Sequence, residues 1–466
     1  MLESTNLESL DPFSTFFGRG EQVSKNRLKD VKKAVQEFFE DGSEEILEAL
    51  VRNYYLLGEG EKLNLFALIS TYGFSYNDFQ KITNSLLEGE GPALQWQERL
   101  RAMRDRLISP RERFFKSFVN ITGGLKFLLD LRGDLLRLSR RKEWLDLREI
   151  DQDIVSLLDM WFIEGFLYLS EIGLDTPYRQ ISFIKEHDMV HPMTSVEDMV
   201  GRLGKDRLCY ALYHILLPDE PVIFIEVALT DGLVGSIKEI MEGSRSTERP
   251  DTAIFYSINN TQQGLSGLGL GRLLVARVVE EIRDKYHHIK NFSTLSPIPG
   301  LWTRYMEPLL KGERTSFKMK PKMIQGYFPT EGKEAIISHY SAQGGKERDF
   351  SMVLREVLSN PKWIEDKVYV EHLGDPLKRI VYFYLTEEKD DKGKPLDPVA
   401  NFHLENGASL SLEYVRFMGN TYEYGVQGSL SFMVNYIYHL HWQEHIKETL
   451  PSLWNKIKSV FPSKRI

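Results

Sequence analysis

The chain has 466 residues, 42% of them hydrophobic, which is too much for one ordinary core and points to two or three domains. Its 67 acidic residues outnumber 59 basic ones, giving a formal net charge of -8, and no basic run is long enough to coat a phosphate backbone, so nucleic acid is not an expected partner. One cysteine, Cys209, excludes an intramolecular disulfide framework and fits a reducing compartment, with an intersubunit bridge left open.

The opening "MLESTNLESLDPFSTFF" is acidic where an export signal would be basic, and it lacks the arginines of a mitochondrial transit peptide. The expected location is therefore cytoplasmic. From about residue 22 to 162, apolar residues recur at intervals of three and four, as in "LKDVKKAVQEFFE", "EEILEALVRNYYLL" and "LKFLLDLRGDLLRL". That spacing predicts amphipathic helices, broken at "EDGS" and "EGEGP", with a capping box at Ser75 and Asp78.

Beyond about Met160 the texture changes to β-branched and aromatic runs, "GFLYLSEI", "RLCYALYHI", "PVIFIEVAL" and "TAIFYSI", interrupted by helical "SIKEIMEG" and "GRLLVARVVEEIRDKY". The fold class is α + α/β: a helical bundle over 1–158, then an α/β or α+β domain over 159–466. "PVIFIEVAL" contains Glu226 and is far shorter than the roughly 20 residues that span a bilayer, so it reads as a buried strand and no membrane is implied. The charged "EEKDDKGK" over 387–394 reads as an exposed loop.

Residues 266–272, namely Ser266, Gly267, Leu268, Gly269, Leu270, Gly271 and Arg272, run from a glycine-rich turn into a helix. Glycines at 267, 269 and 271 would let a ligand approach the backbone, and the amides at a helix start favour an anionic phosphate, with Arg272 adding charge. The spacing fits neither a dinucleotide fingerprint nor a P-loop, so a plain flexible turn is an equal reading. In "HLHWQEH", His441, Glu444 and His445 follow the order of an inverted zinc-protease motif beside His439, but little chain follows in which a downstream carboxylate could lie. No metal ligands are assigned. Ser296 stands on the stiff turn "SPIPG", presented by two prolines, and fits no nucleophile elbow. His403, in "DPVANFHLENGASL", reads as lying on a short strand before an "NG" turn, where a histidine is either a structural hydrogen-bonder or a catalyst.

Taken together and in order, "HPMTS" from His191, "VALT" from Val227, "AIFYSI" with "TQQGL", "LSPIPG" from Leu295 and "DPVANFHLENGA" from Asp397 resemble the malonyl-CoA decarboxylase family. The resemblance implies a catalytic domain with the fold of the GCN5-related acetyltransferases and N-terminal helices that assemble a homo-oligomer, a dimer or tetramer. It implies malonyl-CoA as substrate, with acetyl-CoA and carbon dioxide as products. Ser296 and His403 take the positions of the catalytic serine and histidine, and residues 266–272 fall where coenzyme A binds. Gly264 stands where the wider acetyltransferase signature has arginine or glutamine, and Gly269 where some relatives carry glutamate.

The implied chemistry leaves an enolate, so it needs oxyanion stabilisation and a proton delivered to carbon. The thioester is its own electron sink, and no cofactor is expected. Ser296 is expected to orient the departing carboxylate, with His403, near its ordinary pKa, protonating the carbanion. Tyr438 is a second hydroxyl for the site or a core residue, and Asn406 a turn residue or a polar contact. An acyl-CoA-dependent acetyltransferase and a non-catalytic acyl-CoA sensor are the alternatives.

Overall fold

The computed structural model describes residues 28–439, apart from 41–44, 75, 88–96, 99, 102, 104–106, 140–146, 189, 191–194, 205, 244–247 and 314. The capping box at Ser75, the motif at His191 and the cluster of His441, Glu444 and His445 lie outside the described residues.

The chain divides into two compact units. The first holds the helices, joined by two later returns of the chain, His214–Pro218 and Gln262–Gly269. Its helices are α1 (28–40), α2 (Glu45–Tyr54), α3 (Glu59–Ser70), α4 (Tyr76–Leu87), α5 (Pro110–Ser117), α6 (Gly124–Ser139) and α7 (Arg148–Trp161). In α7 the buried residues Ile150, Ile154, Leu157 and Leu158 keep the helical spacing that puts them on one face. Each such side chain, fully buried, contributes roughly 1.5–3 kcal/mol. Helix α5 begins where the sequence supplies both start signals: Pro110 at its first position, and Ser109, whose hydroxyl accepts from the Glu112 amide at 3.0 Å. Phe114, Phe118 and Phe127 meet edge to face and tilted beneath these helices.

The second unit is built on a mixed sheet in the order β1-β2-β3-β4-β5-β10-β7. Its strands are β1 (Leu167–Ile172), β2 (Arg207–His214), β3 (Ile223–Thr230), β4 (Thr252–Asn260), β5 (Asn291–Thr294), β7 (Ala408–Ser409) and β10 (Ile437–Tyr438), with helix α8 (Tyr178–His187) after β1 and α9 (Leu270–Lys285) after β4. A small sheet, β6-β9-β8, combines Ser296–Pro297, Met433–Val434 and Val415–Arg416. Strands β2 and β3 are buried at every residue, which is why they read as continuous apolar runs rather than alternating ones. Strands β2, β3 and β4 are antiparallel neighbours, whereas β4 and β5 run parallel. That parallel pairing covers only Thr252 to Phe255, so the rest of β4 extends past β5.

Three local expectations need correction. A helical block, α10 (Thr330–Ala342), α11 (Phe350–Ser359) and α12 (Lys367–Glu387), lies between β6 and β7 and was not anticipated from the pattern. The charged stretch at 387–394 is exposed as expected except at one residue: α12 takes in Glu387, and after it Glu388 is buried. Its carboxylate accepts from the Tyr305 hydroxyl at 3.0 Å and from the amides of Lys318 and Met319, each at 2.9 Å, which offsets the loss of water. His403 sits in helix α13 (Pro398–Glu405), not on a strand. There Pro398 at the first turn and the Asp397 carboxylate, accepting from the Ala400 amide at 2.7 Å, start a helix that the "NG" signal only ends.

Candidate active site

Ser296 opens β6 and pairs with Val434 of β9, which fixes its backbone. The residues after it form a pinned turn. Ser429 Oγ accepts from the Ile298 amide and donates to the Ile298 carbonyl, both at 3.1 Å, and Gly300 adopts φ +80° before a π-helical turn over Leu301–Met306. Only glycine takes that φ without strain. The hydroxyl is not presented to solvent as the stiff turn suggested: Ser296 is 7% exposed.

Ser296 Oγ lies 3.2 Å from His403 Nε2, across 107 residues of sequence. His403 Nδ1 is 2.9 Å from the Tyr438 hydroxyl, so three polar groups stand in line. Beneath them the Tyr436 ring stacks on the imidazole, with centroids 4.7 Å apart and planes 25° from parallel. His403 is 3% exposed, and burial pushes its pKa down to about 3. The expectation of an ordinary imidazole pKa is thereby corrected: without water to solvate a cation, the ring is neutral at pH 7. Burial raises the Tyr438 pKa, so that group stays a phenol. Tyr438 is held on β10 by pairing with Phe292 and Ala408.

Asn406 ends α13, its backbone amide bonding to the Phe402 carbonyl at 3.2 Å. Among the described residues no hydrogen bond joins its side chain to Ser296, His403 or Tyr438. His439 bonds to Ser409 at 2.8 Å. The described residues contain no group of three histidine, cysteine or acidic side chains suited to a metal, and no helix long and apolar enough to cross a membrane.

Residues 266–269 belong to the first unit, within the segment Gln262–Gly269. Arg132, from α6, donates to the carbonyls of Gly264 at 2.5 Å and Ser266 at 3.0 Å and is paired with Asp151 at 2.7 Å. A Cβ at Gly264 would come within 2.1 Å of the Leu129 carbonyl oxygen, which explains glycine at that place. Gly267 and Gly269 take φ +87° and +71° with open space where a Cβ would stand. Leu270, Gly271 and Arg272 open helix α9 (Leu270–Lys285) in the second unit. At Gly271 packing requires glycine, because a Cβ there would lie 2.6 Å from the ring of Phe402, the neighbour of His403. Arg272 Nε is buried with no partner among the described residues.

The profile of the malonyl-CoA decarboxylase C-terminal domain matches residues 165–459, and that of the N-terminal domain matches 81–162. The chain belongs to the malonyl-CoA decarboxylase family. It is 35% identical to a mitochondrial malonyl-CoA decarboxylase of Anser anser anser over 359 residues, covering 75% of this chain and 68% of that one. The Rattus norvegicus counterpart, also named mitochondrial, is 34% identical over 74% of this chain and 68% of its own. Their names give the cytoplasmic expectation no support. Among solved structures, the malonyl-CoA decarboxylase of Rhodopseudomonas palustris superposes with a TM-score of 0.72 at 27% identity, covering 92% of this chain and 96% of that one. Ser296, His403, Tyr438 and Asn406 all fall inside the family's C-terminal domain.

Reading the sequence for chemistry missed Arg132, Ser429, Asn435 and Tyr436. None stands in a recognisable motif, and their partners are remote in sequence.

Proposed function

We propose that this protein converts malonyl-CoA to acetyl-CoA and carbon dioxide through a thioester enolate, with Ser296 and His403 as the reacting pair and no cofactor. Malonyl-CoA decarboxylation is the activity its family membership carries. The observation that supports the finer reading is the buried contact of Ser296 Oγ with His403 Nε2 at 3.2 Å, backed by Tyr438 at Nδ1. The thioester carbonyl accepts the electron pair released as carbon dioxide leaves. A serine hydroxyl fixed by β-pairing on one side and a pinned turn on the other can hold the carboxylate out of the thioester plane, where the breaking bond overlaps the carbonyl π system. Alignment of that kind contributes several kcal/mol.

Burial assists in two ways. A site without water favours the dispersed charge of the transition state over the localised carboxylate. It also keeps His403 neutral until substrate arrives. Charging that ring against a pKa of about 3 costs roughly 5 kcal/mol relative to its ordinary value of 6.5, and a malonyl carboxylate alongside offsets the cost. His403 thus takes up a solvent proton while the malonyl carboxylate is bound and passes it to the enolate carbon once carbon dioxide has left, which returns the ring to its neutral form. Tyr438 can bond Nδ1 in either tautomer, since a phenol both donates and accepts, and so holds the ring with Nε2 directed at Ser296.

The reading also takes residues 266–272 as the seat of the coenzyme A pyrophosphate, supported by the helix start and the unpartnered Arg272 Nε. Self-association through the N-terminal helices belongs to it as well: Tyr76 and Phe79 on α4 are 72% and 53% exposed. A Tyr76→Ser, Phe79→Ser double variant is expected to run smaller than the parent on sizing, and unchanged mass would remove α4 from any interface. The deciding experiment on function supplies purified protein with malonyl-CoA and no acceptor. Stoichiometric carbon dioxide and acetyl-CoA are expected, and acyl transfer without carbon dioxide would refute the proposal.

A further inference from the structure

We infer that Asn435 is the positioning residue that sets the distance between Ser296 and His403, acting through backbone rather than through substrate. Its side chain is wholly buried and engaged at both ends. Nδ2 donates to the carbonyl of Thr294 at 2.7 Å and to that of Val234 at 3.0 Å, and Oδ1 accepts from Arg416 Nε at 2.6 Å. The backbone around it is fixed as firmly. The Asn435 amide donates to the Tyr414 carbonyl at 3.0 Å, the Thr294 amide to the Tyr436 carbonyl at 3.0 Å, and the Tyr436 amide to Thr294 Oγ1 at 3.1 Å.

The place of this residue in the chain gives those bonds their consequence. Val434, immediately before it, is the register partner of Ser296, and Tyr436, immediately after it, carries the ring on which His403 stacks. Thr294 lies two residues before Ser296 on the same extended run. One amide therefore ties the strand bearing the serine to the segment supporting the histidine. No other residue type of that size offers two donors and an acceptor in this geometry. Two buried carbonyls would lose their shared donor if it were removed, and the segments would be free to part. A displacement of about 1 Å between reacting groups lowers turnover by about a hundredfold, and a partial displacement by less.

The inference rests on the Ser296–His403 reading, so Ser296→Ala and His403→Ala are assayed beside the test variants. Asn435→Ala is expected to lower kcat at least about tenfold, with KM for malonyl-CoA held within about twofold. A merely structural role would lower the thermal midpoint and leave kcat per folded molecule intact. Because Asn435→Ala could fail to fold, a second pair carries the same test at half-buried Arg416. Glutamine places a donor nitrogen at the bond position of arginine Nε, whereas methionine places a methyl group there. Arg416→Met is expected to lower kcat about threefold to tenfold and Arg416→Gln to restore most of it, again with KM steady. Equal kcat in the two Arg416 variants, a folded Asn435→Ala at parental kcat, or an effect confined to KM would overturn the inference. Parental turnover in Ser296→Ala or His403→Ala would overturn both this and the function it rests on.

Discussion

Two buried polar clusters in the second unit solve the same problem in opposite ways. Around Ser296, His403 and Tyr438 every group is uncharged at pH 7, and the three form a line of hydrogen bonds. Around Arg202, by contrast, a guanidinium is packed among carboxyl groups. Its Nη1 is 2.9 Å from Asp188 and 3.7 Å from Glu226, while its Nε is 3.2 Å from Asp198. Asp188 also accepts from Asn259 Nδ2 at 2.9 Å and Ser257 Oγ at 3.2 Å, both on the part of β4 that extends past β5. A neutral line can take up or release a proton by rearranging a few bonds, which suits chemistry. A charged knot is locked by its own counterions, which suits architecture.

The largest way to break that contrast is to remove a member of the neutral line. Ser296→Ala and His403→Ala are each expected to lower kcat by about two orders of magnitude or more, while the binding of an unreactive substrate analogue changes little. If the two act as a unit, the double variant will be scarcely slower than the poorer single one. Steady-state kinetics on the four proteins decides this, because strictly multiplicative losses would mean independent roles.

The charged cluster should answer in stability instead. Arg202→Met leaves Asp188 buried without its cation and is expected to lower unfolding free energy by about 3–5 kcal/mol. Adding Asp188→Asn should restore a good part of it, with kcat per folded molecule near parental throughout. Denaturant titration is the check, and failure of the second substitution to restore anything would argue against a pairing role.

The smallest effect sharpens the comparison most, since the clusters should shape opposite limbs of the stability-pH curve. His403 has a folded pKa of about 3, below its ordinary 6.5. Its contribution is present above pH 6.5 and lost as pH falls toward 3, because the unfolded chain binds the proton first. Glu226 runs the other way. Burial, with Asp188 nearby, raises its pKa from 4.5 to about 8, so its contribution is present below 4.5 and lost as pH rises toward 8. His403→Phe should flatten the acid limb and Glu226→Gln the alkaline one. Chemical denaturation across pH would expose any exchange of those effects.

Much of the fold was legible because burial leaves periodic marks. The helical spacing before residue 162 and the apolar runs of β2, β3 and β4 come directly from which faces meet water. Ser296 and His403 were legible as candidates only through motif resemblance, since neither a serine on a proline turn nor a lone histidine declares a role. His403 was assigned to the wrong element because the "NG" pair outweighed the Asp397 and Pro398 helix start. Glu388 was misjudged because composition cannot reveal that a tyrosine and two amides wait for its carboxylate. Arg132 left no local mark, its acceptors lying 132 and 134 residues away.

That arginine also bears on how the molecule can be taken apart. The guanidinium holding the carbonyls of Gly264 and Ser266 comes from a helix more than a hundred residues earlier, so the turn is shaped by sequence that a truncation at the start of the strands would discard. A fragment spanning 159–466 would retain the serine, the histidine and the tyrosine, yet lack the side chain that disciplines its own glycine turn. Such a fragment would therefore not report the native conformation of that turn. The N-terminal helices are thus an internal template for a loop that the linear order assigns to the other half of the chain.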